Sequence, residues 1–455
     1  SVEHLKRYTT LGMGTDQGRT SNINGLANMA ALTGRDIGAI GTTTFRPPFT
    51  GVRMGTIAGV HLGRLYRPKR LMPAHERHAE AGAAFVDFGW QRPDWYTENG
   101  STREDAVAAE LAAVRKDVGI FDASPLGKIE IAGPDAAAFL DRFYVTNVTT
   151  LKPGRIRYSV MLHEDGVIFD DGVIARTGEN RFIAGPSSGN ADGVAAWFER
   201  WRQTEWPWMR VAVAPVTSNR ACMAIAGPKA RALLAALAPE CDVSAAAFPH
   251  MSFRETRLSG VPTRISRVSF TGELQYEIAV PARFGDALMQ RLRDVGGAFD
   301  ARLVGMEAWL RLRLEKGYIH VGADTNGRTT PGDIGMAGVV AGKKADFIGK
   351  RSLSLAFGAS ATREELVGLR AGKSVLRVGG RILTAGTSTP PCDTDGYVTS
   401  ACFSPAAGEY IGLALVERGR ARMGERVRVF DDGALIAAEI CAPCFYDPAN
   451  ERLQA

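Results

Sequence analysis

"IEIAGPDAAAFLDRF" spans Ile129–Phe143, and "MAIAGPKARALLAAL" spans Met223–Leu237. Each begins as an apolar β-forming run, breaks at Gly-Pro, and continues in helix formers. Pro134 and Pro228 fall where a first-turn proline belongs, since the N–H it lacks has no helical partner there. The chain thus carries one strand–helix unit twice, an internal repeat of two α+β halves with a helix packed on strands in each. Strict βαβα alternation is missing, so a doubly wound parallel sheet is not expected.

Working outward, Ser101 and Glu104 form an S-x-x-E capping box. Val107, Leu111, Val114 and Val118 then repeat on one face, which predicts a helix over about 102–118. Downstream, 264–270 and 275–280 read as a hairpin turning through "TGEL". Helices are predicted at 282–295 and 305–315. From about Glu364 the chain reads as strand after strand, "GYVTSACFS", "EYIGLALVE", "ERVRVF" and "ALIAAEICA", which predicts a small all-β domain of barrel or jelly-roll type. The first seventy residues differ from the rest. They hold short helices at 2–9 and 22–32, the second closed by Gly34, and a looped Thr/Pro/Gly-rich stretch, "GTTTFRPPFTGVRMG". The expected organisation is an N-terminal arm over 1–69, an α+β core over 70–355 in halves of about 70–215 and 216–355, and a β domain over 356–455.

The 455 residues are 45% hydrophobic and 23% charged, an ordinary globular composition too long for one core. No apolar run is long enough to span a membrane, and no secretion signal opens the chain. The chain begins at Ser1 rather than Met, as expected of a piece of something longer. The net charge of +6 favours an anionic ligand, but the basic residues are interspersed with acids, which argues against nucleic acid. Six scattered cysteines suit a reducing cytoplasm. Cys441 and Cys444 form a lone CxxC, read as two strand-end thiols. His75 and His78 share a helical spacing without a third ligand and are read as surface, so no metal site is expected. Nucleotide-binding glycine motifs and a GxSxG nucleophile are absent.

"HEDGVIFDDGVIAR", His163–Arg176, poses the functional question. Asp170 and Asp171 sit between two apolar β-runs. The same Asp-Asp-Gly recurs at Asp431–Gly433, where it closes a hairpin. At Asp170 a second turn so soon after Glu164-Asp165-Gly166 would leave only a three-residue strand. If the strand runs through the pair instead, one carboxylate faces outward and the other inward. An inward carboxylate needs a cation, a donor or a ligand nitrogen. Glu277, in "YEIAV", poses the same question, with solvent as its default neighbour.

Taken together, "VRKDVGIFDAS", "IAGPDAAAFLDRF", "YSVMLHEDGVIFDD", "AIAGPKA", "SRVSFTGELQYEI", "LRLEKG" and "TSACFSP" resemble, in order, the glycine cleavage T-protein family of tetrahydrofolate-binding aminomethyltransferases. The likeness runs from near Leu71, through "AGAAFVDFGW", to "PCFYD". Upstream, "VEHLKRYTTLGMGTDQGRTSN" and "GTTTFRPP" resemble the α subunits of heterotetrameric sarcosine oxidases. There "LGMGTDQG" is similar to a ferredoxin-like two-iron–two-sulfur module with Leu11 and Asp16 at its cysteine positions, so no cluster is expected.

The resemblance implies an aminomethyltransferase-like fold and a tetrahydrofolate site that captures the carbon of an imine or formaldehyde as 5,10-methylenetetrahydrofolate. Asp171 matches the catalytic carboxylate, with Asp170 structural. Glu277 matches the glutamate that reads the pterin, as a carboxylate can accept two N–H donors. Tyr158, Leu126 and Val173 match the pocket walls. Phe270 stands where T-proteins have tyrosine, Trp309 where they have arginine, and Pro125 where they have histidine. The arginine's loss argues against lipoyl-carried aminomethyl groups. Tyr318, following Lys316-Gly317 where tRNA-modification relatives have cysteine, argues against that branch. Flavin and NAD are expected in other chains or in a dinucleotide domain upstream, and a flavin-bearing β subunit is the implied partner. Two alternatives stay open: a free-standing folate-dependent demethylase or aminomethyltransferase, and a scaffold that has lost its ligand.

Overall fold

The computed structural model describes residues 1–13, 17–44, 52–66, 69–97, 100–343, 345–355, 362–387 and 391–455. The chain forms two compact units, Ser1–Lys69 and Arg70–Ala455.

In the first unit, Ser1 caps the helix Val2–Tyr8, and Gly34 closes the helix Asn22–Thr33 in the left-handed conformation. Leu11 lies over Gly25, where a Cβ would meet the leucine side chain at 2.7 Å. A packing contact thus occupies that position. Asp16 lies outside the described residues. The stretch read as loop ends inside a short helix, Met54–Ala58, and its residues 45–51 also lie outside the described residues.

The second unit contains the duplication. In the first half, the strand Ile129–Ala132 and the helix Ala136–Asp141 are followed by three antiparallel strands, Ile156–Leu162, Ile168–Gly178 and Arg181–Pro186. The helix Ala191–Thr204 and the strand Ala212–Pro215 complete it. The second half repeats this order with Arg220–Ala226, Ala230–Leu237, Ser252–Leu258, Val261–Arg267, Gln275–Pro281, Gly285–Gly296 and Ala301–Leu303. In both sheets the last strand of the three-strand meander pairs with the strand that opened the half. The second sheet also admits Val118–Asp122 beside its opening strand. The two sheets meet edge to edge: the Ile156 amide donates to the Met251 carbonyl at 2.9 Å, and the Phe253 amide to the Gly154 carbonyl at 3.1 Å. Each helix layer buries its own apolar cluster, Phe139, Phe143 and Phe198 in one half and Leu233, Leu234 and Leu292 in the other.

The C-terminal strands close into a six-stranded barrel, ordered Glu364–Arg370, Glu409–Glu417, Thr394–Ser404, Arg381–Leu383, Arg426–Asp431 and Ala434–Cys441. Asp432 and Gly433, both at positive φ, make its last hairpin turn. A buried ion pair ties the barrel to the core. Arg313, on the helix Met306–Lys316, pairs with Asp324, which also accepts from Thr399 and Ser400 of the barrel at 2.6 Å each. Through Arg313, "LRLEKG" therefore serves as a joint between core and barrel. All six cysteines are free; Cys441 ends a strand, and Cys444 lies in the segment beyond it.

Two expectations need correction. The helix at 102–118 is Arg103–Lys116, capped by Thr102, whose hydroxyl accepts from the Asp105 amide at 3.2 Å and donates to the Asp105 carboxylate at 2.6 Å, and Val118 already belongs to the next strand. Ser-Thr offers two adjacent capping hydroxyls, and the register of the buried Val107, Leu111 and Val114 selects the second. His78 is not on the surface. It is fully buried on the helix His75–Glu80, with Nδ1 at 2.7 Å from the Tyr96 hydroxyl and Nε2 at 2.9 Å from Asp122. The three polar groups satisfy one another, which is what permits the burial.

Candidate active site between the two halves

The strand Ile168–Gly178 runs straight through Asp170 and Asp171, so the paired acids are not a turn. Close backbone approach is what makes this possible. Gly172 has φ 156°, and a Cβ there would lie 2.0 Å from the carbonyl oxygen of Gly185 on the adjoining strand. Gly172→Ala should therefore destabilise the protein by about 2 kcal/mol or more, from strand displacement and strain. Chemical denaturation of the variant would measure it, and an unchanged midpoint would contradict the strand packing.

Alternation along the strand separates the two acids. Asp170 is fully buried on the helix side, where it accepts from the Ser187 hydroxyl at 2.6 Å and the Ser187 amide at 3.2 Å. The expectation that one carboxylate faces outward thus fails for a physical reason: both faces of this sheet are covered. Asp171 faces a cavity of about 1520 Å³, where the Tyr158 hydroxyl donates to it at 2.8 Å.

The cavity is walled by both sheets. Tyr158, Asp171 and Val173 come from the first. Glu277 comes from the strand Gln275–Pro281 of the second, Leu126 and Lys128 from the turn before Ile129, Phe270 from the hairpin loop, and Trp309 from the helix Met306–Lys316. All seven residues singled out from the sequence line this one space. Glu277 does not face bulk solvent as its default reading held. Among the described residues its carboxylate accepts no hydrogen bond. Lys128 lies close enough to attract it, while its ammonium donates to the carbonyls of Leu126 at 2.8 Å and Ser124 at 3.2 Å. Phe270 sits between Trp309, edge to face at 6.0 Å, and Tyr318, stacked at 6.4 Å, giving the cavity a flat aromatic flank.

Burial dominates the electrostatics. It raises Asp171 to about 7, with the charge of Asp170 adding to the rise and the Tyr158 hydrogen bond opposing it. Burial also raises Asp170 to about 6, against the hydrogen bonds from Ser187. Desolvation raises Glu277, and Lys128 only partly offsets it. Between pH 4 and 7 an unfolded chain has ionised these two aspartates, whereas the folded chain still holds their protons. Stability therefore falls as pH rises through that window and levels off above about 7. Asp171→Asn should flatten part of that fall. Melting temperatures of the two proteins without ligand, compared from pH 5 to pH 8, would check it.

Sequence reasoning missed Lys128 and Arg92. Arg92 lies on the strand Trp90–Tyr96, lines the cavity, and is 3% exposed. Its position was legible in principle, because alternation puts it on the same face as the buried Trp90. Among the described residues no cluster of His, Cys, Asp and Glu could hold a metal ion, and no helix is long and apolar enough to cross a membrane.

Two duplicated α+β halves enclosing a cavity, followed by a closed barrel, define the class. The GCVT N-terminal domain matches residues 74–344, and the glycine cleavage T-protein C-terminal barrel domain matches residues 365–447. The chain belongs to the glycine cleavage T-protein family. Residues 1–60 match the sarcosine oxidase A3 domain. Over 99% of its length the chain is 44% identical to the sarcosine oxidase subunit alpha of Corynebacterium sp. (strain U-96), covering 48% of that protein. It is 41% identical to that of Rhizobium meliloti (strain 1021), covering 46%. The chain thus spans about half the length of these curated relatives. It is 33% identical to an aminomethyltransferase of Thermotoga maritima over 82% of this chain and 97% of that one. The crystal structure of the glycine cleavage system aminomethyltransferase T from Bartonella henselae superposes with a TM-score of 0.72 at 28% identity, covering 83% of this chain and 98% of that one.

Proposed function

We propose that the cavity binds tetrahydrofolate and passes it one carbon, so that this chain is the folate-dependent part of a sarcosine-oxidase-type α subunit and 5,10-methylenetetrahydrofolate is its product. The observation that carries the reading is the pair of carboxylates, Asp171 and Glu277, presented to one cavity from two different sheets. Glu277, desolvated and without a bonded donor, fits the paired N–H groups of an aminopterin edge. Leu126, Val173 and Phe270 fit its flat faces. Asp171, held by Tyr158, fits a group that orients the acceptor nitrogens and holds or releases a proton near neutral pH. When bound, tetrahydrofolate supplies the two nitrogens between which the carbon is carried. The cavity exceeds the roughly 300–1,000 Å³ of an ordinary small-molecule site, which leaves room for the carbon donor as well.

On this reading an N-methyl amine such as sarcosine is oxidised at a flavin on a partner β subunit, and the NAD site also lies outside these residues. The similarity to sarcosine oxidase α subunits along the whole chain favours this over a free-standing aminomethyltransferase, as does Trp309 in place of an arginine. The test is calorimetric titration with tetrahydrofolate, followed by co-purification with the flavoprotein subunit and assay of methylenetetrahydrofolate during sarcosine turnover. Micromolar binding with product formation is expected. A protein that binds no tetrahydrofolate would be a scaffold, and one that binds it and turns over alone would be the free-standing enzyme.

A further inference from the structure

Arg92 is a buried cation that forms no ion pair with any carboxylate among the described residues. Its guanidinium makes one hydrogen bond, to the Ser188 hydroxyl at 3.3 Å, and its Nε has no partner among the described residues. The guanidinium carbon stands 5.8 Å from the centre of the Trp309 ring. Trp309 is 4% exposed, and its indole Nε1 is likewise buried without a partner. Both side chains line the cavity. Asp122 is the acid whose charge reaches Arg92, yet that carboxylate is bonded to His78 and Ser124.

Leaving a guanidinium desolvated and unpaired is expensive, and the arrangement makes sense when an acceptor-only anion enters. The forked guanidinium lies over the face of the Trp309 ring, and both residues belong to one wall of the cavity. A carboxylate suits the fork, its two oxygens meeting two N–H groups, while the flat Trp309 ring backs the guanidinium. Burial holds the Arg92 guanidinium down at about 10, still cationic at neutral pH.

We infer that Arg92, backed by the Trp309 ring, forms a carboxylate-binding subsite within the cavity, separate in chemistry from the two acids at Asp171 and Glu277. Two sources fit that chemistry: the glutamyl end of a folate, or the carboxylate of the amino acid that donates or loses the carbon. The inference deepens the folate reading, and its small-ligand arm can be run without folate.

The variants are Arg92→Met, which keeps the length and removes the charge, and Arg92→Lys. Calorimetric titrations of each variant and the parent chain use four probes: tetrahydrofolate, 6-methyltetrahydropterin as its carboxylate-free counterpart, glycine, and methylamine as the carboxylate-free counterpart of glycine. Arg92→Met should weaken a carboxylate-bearing probe by about tenfold or more while sparing its carboxylate-free partner, with Arg92→Lys intermediate. A loss confined to tetrahydrofolate over 6-methyltetrahydropterin assigns the carboxylate end of the folate. A loss confined to glycine over methylamine assigns the amino acid. The Arg92→Met protein without ligand should melt no lower than the parent, because it sheds an unpaired buried charge. A lower melting temperature with unchanged affinity for every probe would make Arg92 structural and overturn the inference. Failure of the parent chain to bind tetrahydrofolate would sink the proposed function, yet leave the glycine comparison to decide Arg92.

Discussion

Asp171→Asn is expected to bind tetrahydrofolate within a few-fold of the parent chain and to form methylenetetrahydrofolate on the order of 100-fold more slowly. Asparagine keeps the side chain's size and can still accept from the Tyr158 hydroxyl at its present 2.8 Å, so the cavity wall should stand. What is removed is a group that burial brings to about 7, able to change protonation state in the range where the reaction would run. The rate of the parent chain should bend near that pH, and the variant's should not. Product assayed from pH 6 to pH 9 under saturating folate would decide it. A variant running at full rate would leave Asp171 as a mere wall of the cavity.

The second large effect concerns affinity. Glu277→Ala should weaken tetrahydrofolate about 100-fold, the loss of two charge-assisted hydrogen bonds in a desolvated site. Glu277→Gln, which can accept but also donates, should fall between. The protein without ligand should be no less stable, because the substitution removes a carboxylate that burial disfavours and that no bonded donor supports. Titration calorimetry gives the affinities and thermal melts give the stability. An alanine variant that binds as tightly as the parent would move the pterin elsewhere.

Much of this fold was written in local pattern. The Gly-Pro strand–helix units announced the duplication, and the β-runs after Glu364 became the strands of the barrel at nearly the expected places. The same Asp-Asp-Gly was rightly separated into a strand interior at Gly172 and a hairpin turn at Gly433, because the upstream turn left no room for another. The features that escaped are those fixed by distant partners. His78 reads as a surface residue until Asp122, forty-four positions on, is brought against it. The burial of Asp170 depends on Ser187 and on a helix layer that alternation along one strand does not reveal. The capping box slipped by one residue because two hydroxyls stand side by side and only the packing of Val107 chooses between them. Arg92 had a strand-parity signal, but a lone arginine between Gln91 and Pro93 gains meaning only when Trp309 arrives from the far side of the sequence.

The edge-to-edge seam between the halves, stitched through Gly154–Ile156 and Met251–Phe253, has a mechanical consequence. Asp171 and Glu277 stand on opposite banks of it, at positions that are not equivalent in the repeat. A molecule grasped by both acids would act as a rivet across the joint, and slippage of one half against the other would blunt its grip before either half lost its own architecture.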